Sequence, residues 1–357
     1  MSSMLGEKIK LSVFGESHGE AIGCVIDGLP AGKALDIELI QKEMDKRAPG
    51  RDKSATARKE PDEPQILSGV LNGTTTGAPL AMIIKNTNTR SGDYGNLKYV
   101  PRPGHSDYPA YVKYSGFNDI RGGGHFSGRL TAPLVFAGAI AKQLLADRGI
   151  TVGAHILQIG SVSDKPFDKN NITAQMLNEL SSDFFATISA EKEMEMRAVI
   201  ESARLQGDSV GGVIECAAVG LPVGVGSNMF STVEGRLSYA LFGIPAVKGV
   251  QFGAGFDFAA MRGSEANDPY EIRNGAVCLK SNNNGGVLGG ITNGAPLVFS
   301  VAVKPTASVA VAQDSVNLET LENEKLVVKG RHDPCIVPRA VAVVEAVCAF
   351  TLLDMMM

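Results

Sequence analysis

Four of the five histidines stand in loops bracketed by Gly or Pro and flanked by Ser, Arg or Asp. These are the neighbours with which an imidazole can exchange a proton or share an anion near neutral pH. His18 lies in Phe14-Gly15-Glu16-Ser17-His18-Gly19, a polar turn between apolar runs at 10–14 and 21–26. Strands on both sides would aim Ser17 and His18 into a cleft, and the glycines let backbone approach a ligand. The plainer alternative is a hairpin turn with a solvated histidine. His105 lies in Pro101-Arg102-Pro103-Gly104-His105-Ser106-Asp107, His125 in Arg121-Gly122-Gly123-Gly124-His125-Phe126-Ser127-Gly128-Arg129, and His332 in Arg331-His332-Asp333-Pro334. His155 follows an apolar run and reads as structural. No histidine pair has i,i+3 or i,i+4 spacing with a carboxylate, so zinc and other metals are not expected.

Two further stretches fit anions. Lys46-Arg47-Ala48-Pro49-Gly50-Arg51-Asp52-Lys53-Ser54-Ala55-Thr56-Ala57-Arg58-Lys59 carries six cations and one acid, and Pro and Gly make it a loop. It is either a solvated surface segment or a rim whose Arg forks neutralise a polyanionic small molecule. The Gly122-Gly123-Gly124 stretch leads into a helix whose free N–H groups can take an anion, with a hinge as the alternative. It ends in no G-K-[ST] and forms no G-x-G-x-x-G after a strand, so it is neither a Walker A loop nor a dinucleotide fingerprint. Lys304-Pro305-Thr306-Ala307-Ser308 and Asn282-Asn283-Asn284-Gly285-Gly286 read as ligand-facing or surface turns at strand ends.

The elements that must position these loops occur twice. Gly69-Val70-Leu71-Asn72-Gly73-Thr74-Thr75-Thr76-Gly77-Ala78-Pro79-Leu80 recurs as Gly286-Val287-Leu288-Gly289-Gly290-Ile291-Thr292-Asn293-Gly294-Ala295-Pro296-Leu297, with nine identities in twelve positions. Upstream, Gly15-Glu16-Ser17, Val25-Ile26-Asp27 and Gly28-Leu29-Pro30 match Gly207-Asp208-Ser209, Val213-Ile214-Glu215 and Gly220-Leu221-Pro222 in the same order. A helix follows each Gly-Leu-Pro turn. One spans 36–47 with Ile37, Ile40 and Met44 on one face, and the other spans 231–242 with a Ser231 to Glu234 capping box. Each repeat precedes an apolar β run, and each half closes with a His-bearing loop and a helix. The expected class is α+β: a single domain, 1–357, of two duplicated halves at about 1–150 and 207–357, joined by 151–206, with helices sandwiched between antiparallel sheets.

Composition narrows the partners. The chain has 357 residues, 44% of them hydrophobic, a mean hydropathy of +0.05 and a net charge of −4. A nucleic-acid or anionic-membrane partner would want a basic surface throughout, so any anion site must be a local basic cluster. The five cysteines are odd in number, scattered and without a C-x-x-C pair, and read as reduced core residues. No apolar leader precedes the first strand, and the longest uncharged apolar stretch, 132–141, is too short for a bilayer. A soluble, cytoplasmic protein is expected.

Read together, Gly15-Glu16-Ser17-His18-Gly19, Lys46-Arg47-Ala48-Pro49-Gly50, Arg58-Lys59-Glu60-Pro61-Asp62, Arg102-Pro103-Gly104-His105-Ser106-Asp107, Arg121-Gly122-Gly123-Gly124, Ala246-Val247-Lys248-Gly249, Lys304-Pro305-Thr306 and Gly330-Arg331-His332-Asp333-Pro334-Cys335 resemble the chorismate synthase family from end to end. The resemblance implies a β-α-β sandwich with an internal pseudo-twofold, a homotetramer and reduced FMN as cofactor. It implies an anti-1,4-elimination that takes phosphate and a C6 hydrogen from 5-enolpyruvylshikimate 3-phosphate to give chorismate.

Carried over by motif, His18 would protonate the departing phosphate, His105 would protonate the reduced flavin near N1, and Asp333 would sit by flavin N5. Flavin contacts would fall on His125, Phe126, Ser127, Pro245, Ala246, Gly289, Lys304, Pro305, Thr306, Ala307, Ser308 and Arg331. Substrate anions would meet Ser17, Arg47, Lys53, Arg129 and Arg339. Arg47 and Lys53 also match positions linked with NADPH, which the resemblance implies as a reductant alongside an external flavin reductase. Ala48, Lys53 and His125-Phe126 depart from the commoner family pattern, which has Arg at the first two and Arg-Ser at the third. The alternatives are an NADPH-dependent FMN oxidoreductase, distinguished by net hydride transfer, and a non-catalytic flavin- or phosphate-binding module, which would release no phosphate.

Overall fold

Ile22, Cys24 and Ile26 alternate along one strand and Leu80, Met82 and Ile84 along another. All six are buried in the computed structural model, which describes residues 3–50, 62–87, 97–328 and 332–357. The first part of the chain runs β1 (Met4–Leu5), β2 (Lys10–Gly15), β3 (Ala21–Asp27), α1 (Ile37–Arg47) and β4 (Gln65–Ile66). A hairpin of β5 (Val70–Leu71) and β6 (Thr74–Thr75) follows, then β7 (Leu80–Lys85), α2 (Asp107–Lys113) and α3 (Thr131–Ala146). Its antiparallel sheet has the order β1-β2-β3-β7-β4.

The second part runs β8 (Thr151–Ile159), β9 (Val162–Ser163), α4 (Ala174–Ser182), α5 (Ala190–Leu205), β10 (Gly212–Val219), α6 (Val233–Leu241) and β11 (Val247–Phe252). After α7 (Gly263–Ala266) come the hairpin β12 (Tyr270–Arg273) and β13 (Ala276–Leu279), then the hairpin β14 (Val287–Leu288) and β15 (Ile291–Thr292). The chain continues through β16 (Leu297–Val303), the hairpin β17 (Gln313–Asn317) and β18 (Glu322–Leu326), and α8 (Val337–Met356). The second sheet has the order β11-β16-β10-β8-β9. The protein is thus α+β, with two antiparallel five-stranded sheets.

The two sheets repeat one pattern of connections, with β2, β3, β7 and β4 in the places of β8, β10, β16 and β11. Both repeat hairpins turn through two residues of positive φ, Asn72-Gly73 and Gly289-Gly290, the conformation that a tight right-twisted hairpin requires. Side-chain bonds recur with them. Thr75 donates to the Pro30 carbonyl and accepts from the Lys33 amide, while Thr292 donates to Pro222 and accepts from Val225.

The structure corrects several expectations. Ile26 pairs with Leu80 and Ala218 with Leu297, each two residues before its Gly-Leu-Pro turn, so Val25-Ile26-Asp27 does not correspond to Val213-Ile214-Glu215. The true counterpart of Val213-Ile214 is Ala21-Ile22, because pairing register, rather than the look of the tripeptides, fixes the match. The 151–206 segment is more than a joint, since β8 is the second sheet's counterpart of β2. Helix α6 starts at Val233 and is capped by Thr232, whose hydroxyl accepts from the Gly235 amide; Ser231 is in the preceding turn. Lys46 and Arg47 close α1 instead of opening a loop, and that helix buries Ile40, Met44 and Arg47 while Ile37 is 43% exposed.

Helices α3 and α8 form the centre. Both are apolar on nearly every side, as a helix must be when neighbours cover all of it. They cross closely because α3 has Gly138 at the contact, where a Cβ would overlap Ala346 of α8. Helix α3 touches strands of both sheets, α8 packs on β8 and β10, and α1 and α6 flank the pair. Each fully buried Leu, Ile or Phe here contributes about 1.5–3 kcal/mol.

A lysine enters this core. Lys142 of α3 bonds Glu345 of α8 and, at 2.9 Å, Glu43 of α1. Burial opposes its charge, but the two carboxylates outweigh burial and hold the ammonium above its ordinary value. The other Glu345 oxygen accepts from the Ser181 hydroxyl and from the Ala154 amide of β8. The next amide on the same edge of β8, Ile156, donates to the Ala186 carbonyl. Helix α4 and the preceding loop cover the outer face of the second sheet with Phe167, Ile172, Leu177 and Leu180. There His155 is wholly buried between Glu215 at 3.0 Å and Asp164 at 3.6 Å.

Candidate active site

Gly122, Gly123 and Gly124 join the pieces. All three have positive φ, which only glycine takes without strain, and they interrupt what would otherwise be a continuous helical turn before α3. A Cβ on Gly122 would overlap the His18 imidazole and the Ser17 hydroxyl, and one on Gly123 would lie 3.3 Å from the His105 ring. The Gly124 carbonyl accepts from the Ser17 amide. The side chains of His18 and His105 thus face the same bare backbone from two sides.

On the His18 side, Ser17 and His18 are buried in the β2–β3 turn, with Ser17 Oγ 3.3 Å from His18 Nδ1. The turn is held by Asn86, whose amide donates to the Glu16 and Gly19 carbonyls. Asn86 Oδ1 accepts from Arg129 Nε at 3.2 Å, and Arg129 Nη1 donates to Asp62. Asp62 is 0% exposed, and its second oxygen accepts from Arg47 Nη1 at 2.9 Å. Burial raises the Asp62 carboxyl, but Arg47 and then Arg129 outweigh burial and hold it below its ordinary value. Arg47 gives its other nitrogens to the Thr131 hydroxyl and the Gly128 carbonyl. Burial brings its guanidinium down to about 10. Arg339 Nε, at the start of α8, donates to the Arg47 carbonyl, and Arg339 Nη1 pairs with Asp333 at 2.5 Å.

On the His105 side, Arg102 donates to both oxygens of Asp107 and to Ser308 Oγ, tying the first-half loop to the 304–308 turn. Lys304 donates to the Gly104 carbonyl, and its backbone amide donates to Ala246. Ala246 itself holds a positive φ of 73° beside Pro245. The Lys304 ammonium is pushed below its usual value, first by burial and then by Lys248. Thr306 Oγ1 is buried with no protein partner among the described residues.

The structure therefore gathers Ser17, His18, His105 and Ser127 at the three glycines, ties Ala246 and the 304–308 turn to the His105 loop, and strings Arg129, Arg47, Arg339 and Asp333 along a connected chain of ion pairs and hydrogen bonds. Three expected residues sit differently. Each Arg47 nitrogen already donates within the protein, so Arg47 braces its neighbours. His125 Nδ1 bonds the Gly15 carbonyl and Nε2 the Ser3 hydroxyl, which commits both ring nitrogens to β2 and the N-terminal segment; Phe126, beside it, is tilted against Tyr114. Gly289 is not brought here: its hairpin neighbours Gly226 and Thr232 near Met355, about 24 Å along α8 from Arg339. Lys53, Arg331 and most of the basic loop lie outside the described residues. Asp62 and Asn86 were missed. Asp62 had a signal, an acid at the end of a basic stretch, whereas Asn86 had none.

The chorismate synthase family model matches residues 9–357. The chain is 47% identical over 355 residues to the chorismate synthase of Korarchaeum cryptofilum, covering 99% of this chain and 97% of that one. It is 48% identical over 351 residues to that of Thermococcus gammatolerans, covering 98% and 96%. A solved structure titled "Crystal Structure of Chorismate Synthase" superposes with a TM-score of 0.75 at 28% identity, covering 98% of this chain and 92% of the other. With a family model spanning nearly its whole length and relatives at such identity, the chain belongs to the chorismate synthase family, a family of lyases.

Proposed function

We propose that this protein converts 5-enolpyruvylshikimate 3-phosphate to chorismate and phosphate by anti-1,4-elimination, with reduced FMN bound between the two halves. The single observation that supports this most is the meeting of His18 and His105 at the Gly122-Gly123 backbone, with the 304–308 turn tied to the His105 loop. The residues fit a flavin phosphate: Thr306 Oγ1 is an orphan hydroxyl, and Lys304 and Lys248 are neighbouring cations. Bound reduced FMN supplies a transient loan of electron density to the substrate, without net redox change.

The chain's own residues bind, orient and move protons. His18 gives its proton to the departing phosphate, with Ser17 beside Nδ1 to steady the ring. Arg129 and Arg339 meet substrate anions, and the Asp62 carboxylate keeps Arg129 and Arg47 from repelling each other out of position. His105 holds a proton on the flavin side, and Asp333, paired with Arg339, would sit by flavin N5. The same reading includes a homotetramer, NADPH with an external flavin reductase as the source of reducing power, a cytoplasmic location, and an origin by duplication with a pseudo-twofold. The matched hairpins and strand orders support the last of these.

Anaerobic turnover with chemically reduced FMN tests the reaction: phosphate should appear with no NADPH consumed per turnover. His18→Ala should slow single-turnover phosphate release by ~100- to 10,000-fold, the usual worth of a positioned acid, with FMN affinity nearly intact. Near-normal release at saturating substrate and reduced FMN refutes the role given to His18, and one NADPH consumed per turnover would make the chain an oxidoreductase.

A further inference from the structure

His105 Nδ1 lies 2.6 Å from Asp107 Oδ1, 3.1 Å from Arg102 Nη2 and 3.5 Å from Ser106 Oγ. A ring nitrogen offers either one hydrogen or one lone pair, so it cannot donate to the aspartate and accept from the arginine together. The arginine can only donate, and its Nη2 hydrogen has a better acceptor in Asp107 Oδ1 at 2.8 Å. Burial opposes ionisation of Asp107, but hydrogen bonds from Arg102 and His105 outweigh it and hold the carboxyl far below its ordinary value. A lone pair on Nδ1 would then face a carboxylate oxygen at 2.6 Å. The proton must be on Nδ1.

We propose that Asp107, itself clamped by Arg102, is a positioning residue that locks His105 in the Nδ1–H form, so that Nε2, on the Gly123 side of the ring, carries the lone pair. The inference deepens the role given to His105 above and rests on that reading. Three observations carry it. Arg102 fixes Asp107 at three points, through its backbone amide to Oδ2, Nε to Oδ2 and Nη2 to Oδ1, so the carboxylate cannot rotate away. Nε2 lies 3.4 Å from where a Gly123 Cβ would be, so this edge of the ring meets bare backbone. The remaining Arg102 nitrogen, Nη1, reaches Ser308, so the clamp also sets the 304–308 turn against the ring. The charged groups facing His105 are Asp107 and Arg102 from its own loop and helix, and Lys304 from across the site. An ionised aspartate on Nδ1–H fixes tautomer and aim, as in a hydrolase triad, and an amide in its place favours the wrong tautomer.

The tautomer can be read without flavin, by 15N magic-angle-spinning NMR of the full-length histidine-labelled protein at a pH where the rings are neutral, with the His105 signal assigned by its loss in His105→Ala. The wild type should show Nδ1–H over Nε2–H by about tenfold or more, the worth of one hydrogen bond to a charged group. In Asp107→Asn the amide oxygen stays with Arg102 and its NH2 turns to the ring, so the preference should reverse, and Asp107→Glu should restore Nδ1–H in part. With reduced FMN and substrate, Asp107→Asn should lose at least about tenfold in kcat with KM for substrate little changed. Nε2–H in the wild type, or Nδ1–H persisting in Asp107→Asn, overturns the inference whatever the activity. A reversed tautomer with unchanged kcat instead overturns the assignment of His105 to the reaction. If Asp107→Asn fails to fold, the wild-type tautomer alone still decides the first point.

Discussion

Replacing Asp62 by Asn removes one negative charge from between two guanidinium groups and changes almost nothing else in shape. Arg47 is 3% and Arg129 6% exposed, so water cannot make up the loss. An amide can accept from only one of the two arginines and turns its own N–H toward the other. Breaking a buried pair by removing one partner costs about 3–5 kcal/mol, because the remaining charges stay buried and repel. Unfolding entropy of about 2.1 cal/mol/K per residue gives about 0.75 kcal/mol/K for the whole chain, so that loss lowers Tm by about 4–7 °C. The sign with pH follows from the lowered Asp62 carboxyl. Its stabilisation is complete above the ordinary carboxylate range and is lost as pH falls through the folded value, so the gap between wild type and variant should narrow in acid. The assay is thermal unfolding at pH 7 and pH 3, with and without inorganic phosphate. A phosphate ion that enters between the arginines restores the missing charge, and at a hundred times its Kd adds about 2.7 kcal/mol, or about 3–4 °C, to the variant. A Tm within 1 °C of wild type at pH 7, or no greater response to phosphate than wild type shows, would refute the account of Asp62 as the charge that balances both arginines.

Two other outcomes follow from the fold. His155 is pushed toward its charged form: burial lowers its basicity, but Asp164 and Glu215 outweigh burial and raise it above the ordinary histidine value, so its stabilisation is complete below about pH 6.5 and fades as pH rises through the folded value. Urea unfolding of His155→Gln should show a deficit of about 3 kcal/mol at pH 6 that shrinks at pH 9, and a deficit that grows toward alkaline pH would contradict this. Gly138→Ala drives a methyl into Ala346 and should cost about 1–3 kcal/mol by overpacking. Adding Ala346→Gly should recover part of the loss in a double-mutant cycle, whereas simple additivity would show that the helices do not meet there.

Much of the fold was legible because it is local. Ile40 and Met44 gave α1 its buried face, and Asp36, the first residue of the expected span, caps it. The 69–80 and 286–297 repeats could be matched because their two-residue turns demand glycine or asparagine at fixed places. The register upstream was not legible. Tripeptides of β-branched and acidic residues look alike at any offset, and only the pairing of Ile26 with Leu80 and Ala218 with Leu297 chooses one. In the site, His18, His105 and Lys304 were readable as types of side chain that move protons or hold anions. The groups that hold them were harder to see: Arg47 read as a free cation and proved to be wholly engaged, while Asp62 and Asn86 act through residues distant in sequence, which spacing along the chain does not encode.

The bonds from Glu345 to the Ala154 amide and from Ala186 to the Ile156 amide bear on aggregation. In the second sheet β9 pairs with only Gln158 and Ile159 of β8, which leaves the rest of that strand as an edge whose outward N–H groups could template a foreign strand. A carboxylate reaching in from α8 and a carbonyl from the 160–206 segment take two of those donors, and α4 roofs the neighbouring face. The segment between β8 and β10 looks like an expendable insertion when the two sheets are compared. Trimming it to match the short β2–β3 turn would remove Phe167 and Leu177 and so uncover Ala217 and Val298 together with a ready edge, and the shortened protein should precipitate on refolding even if its active site is left untouched.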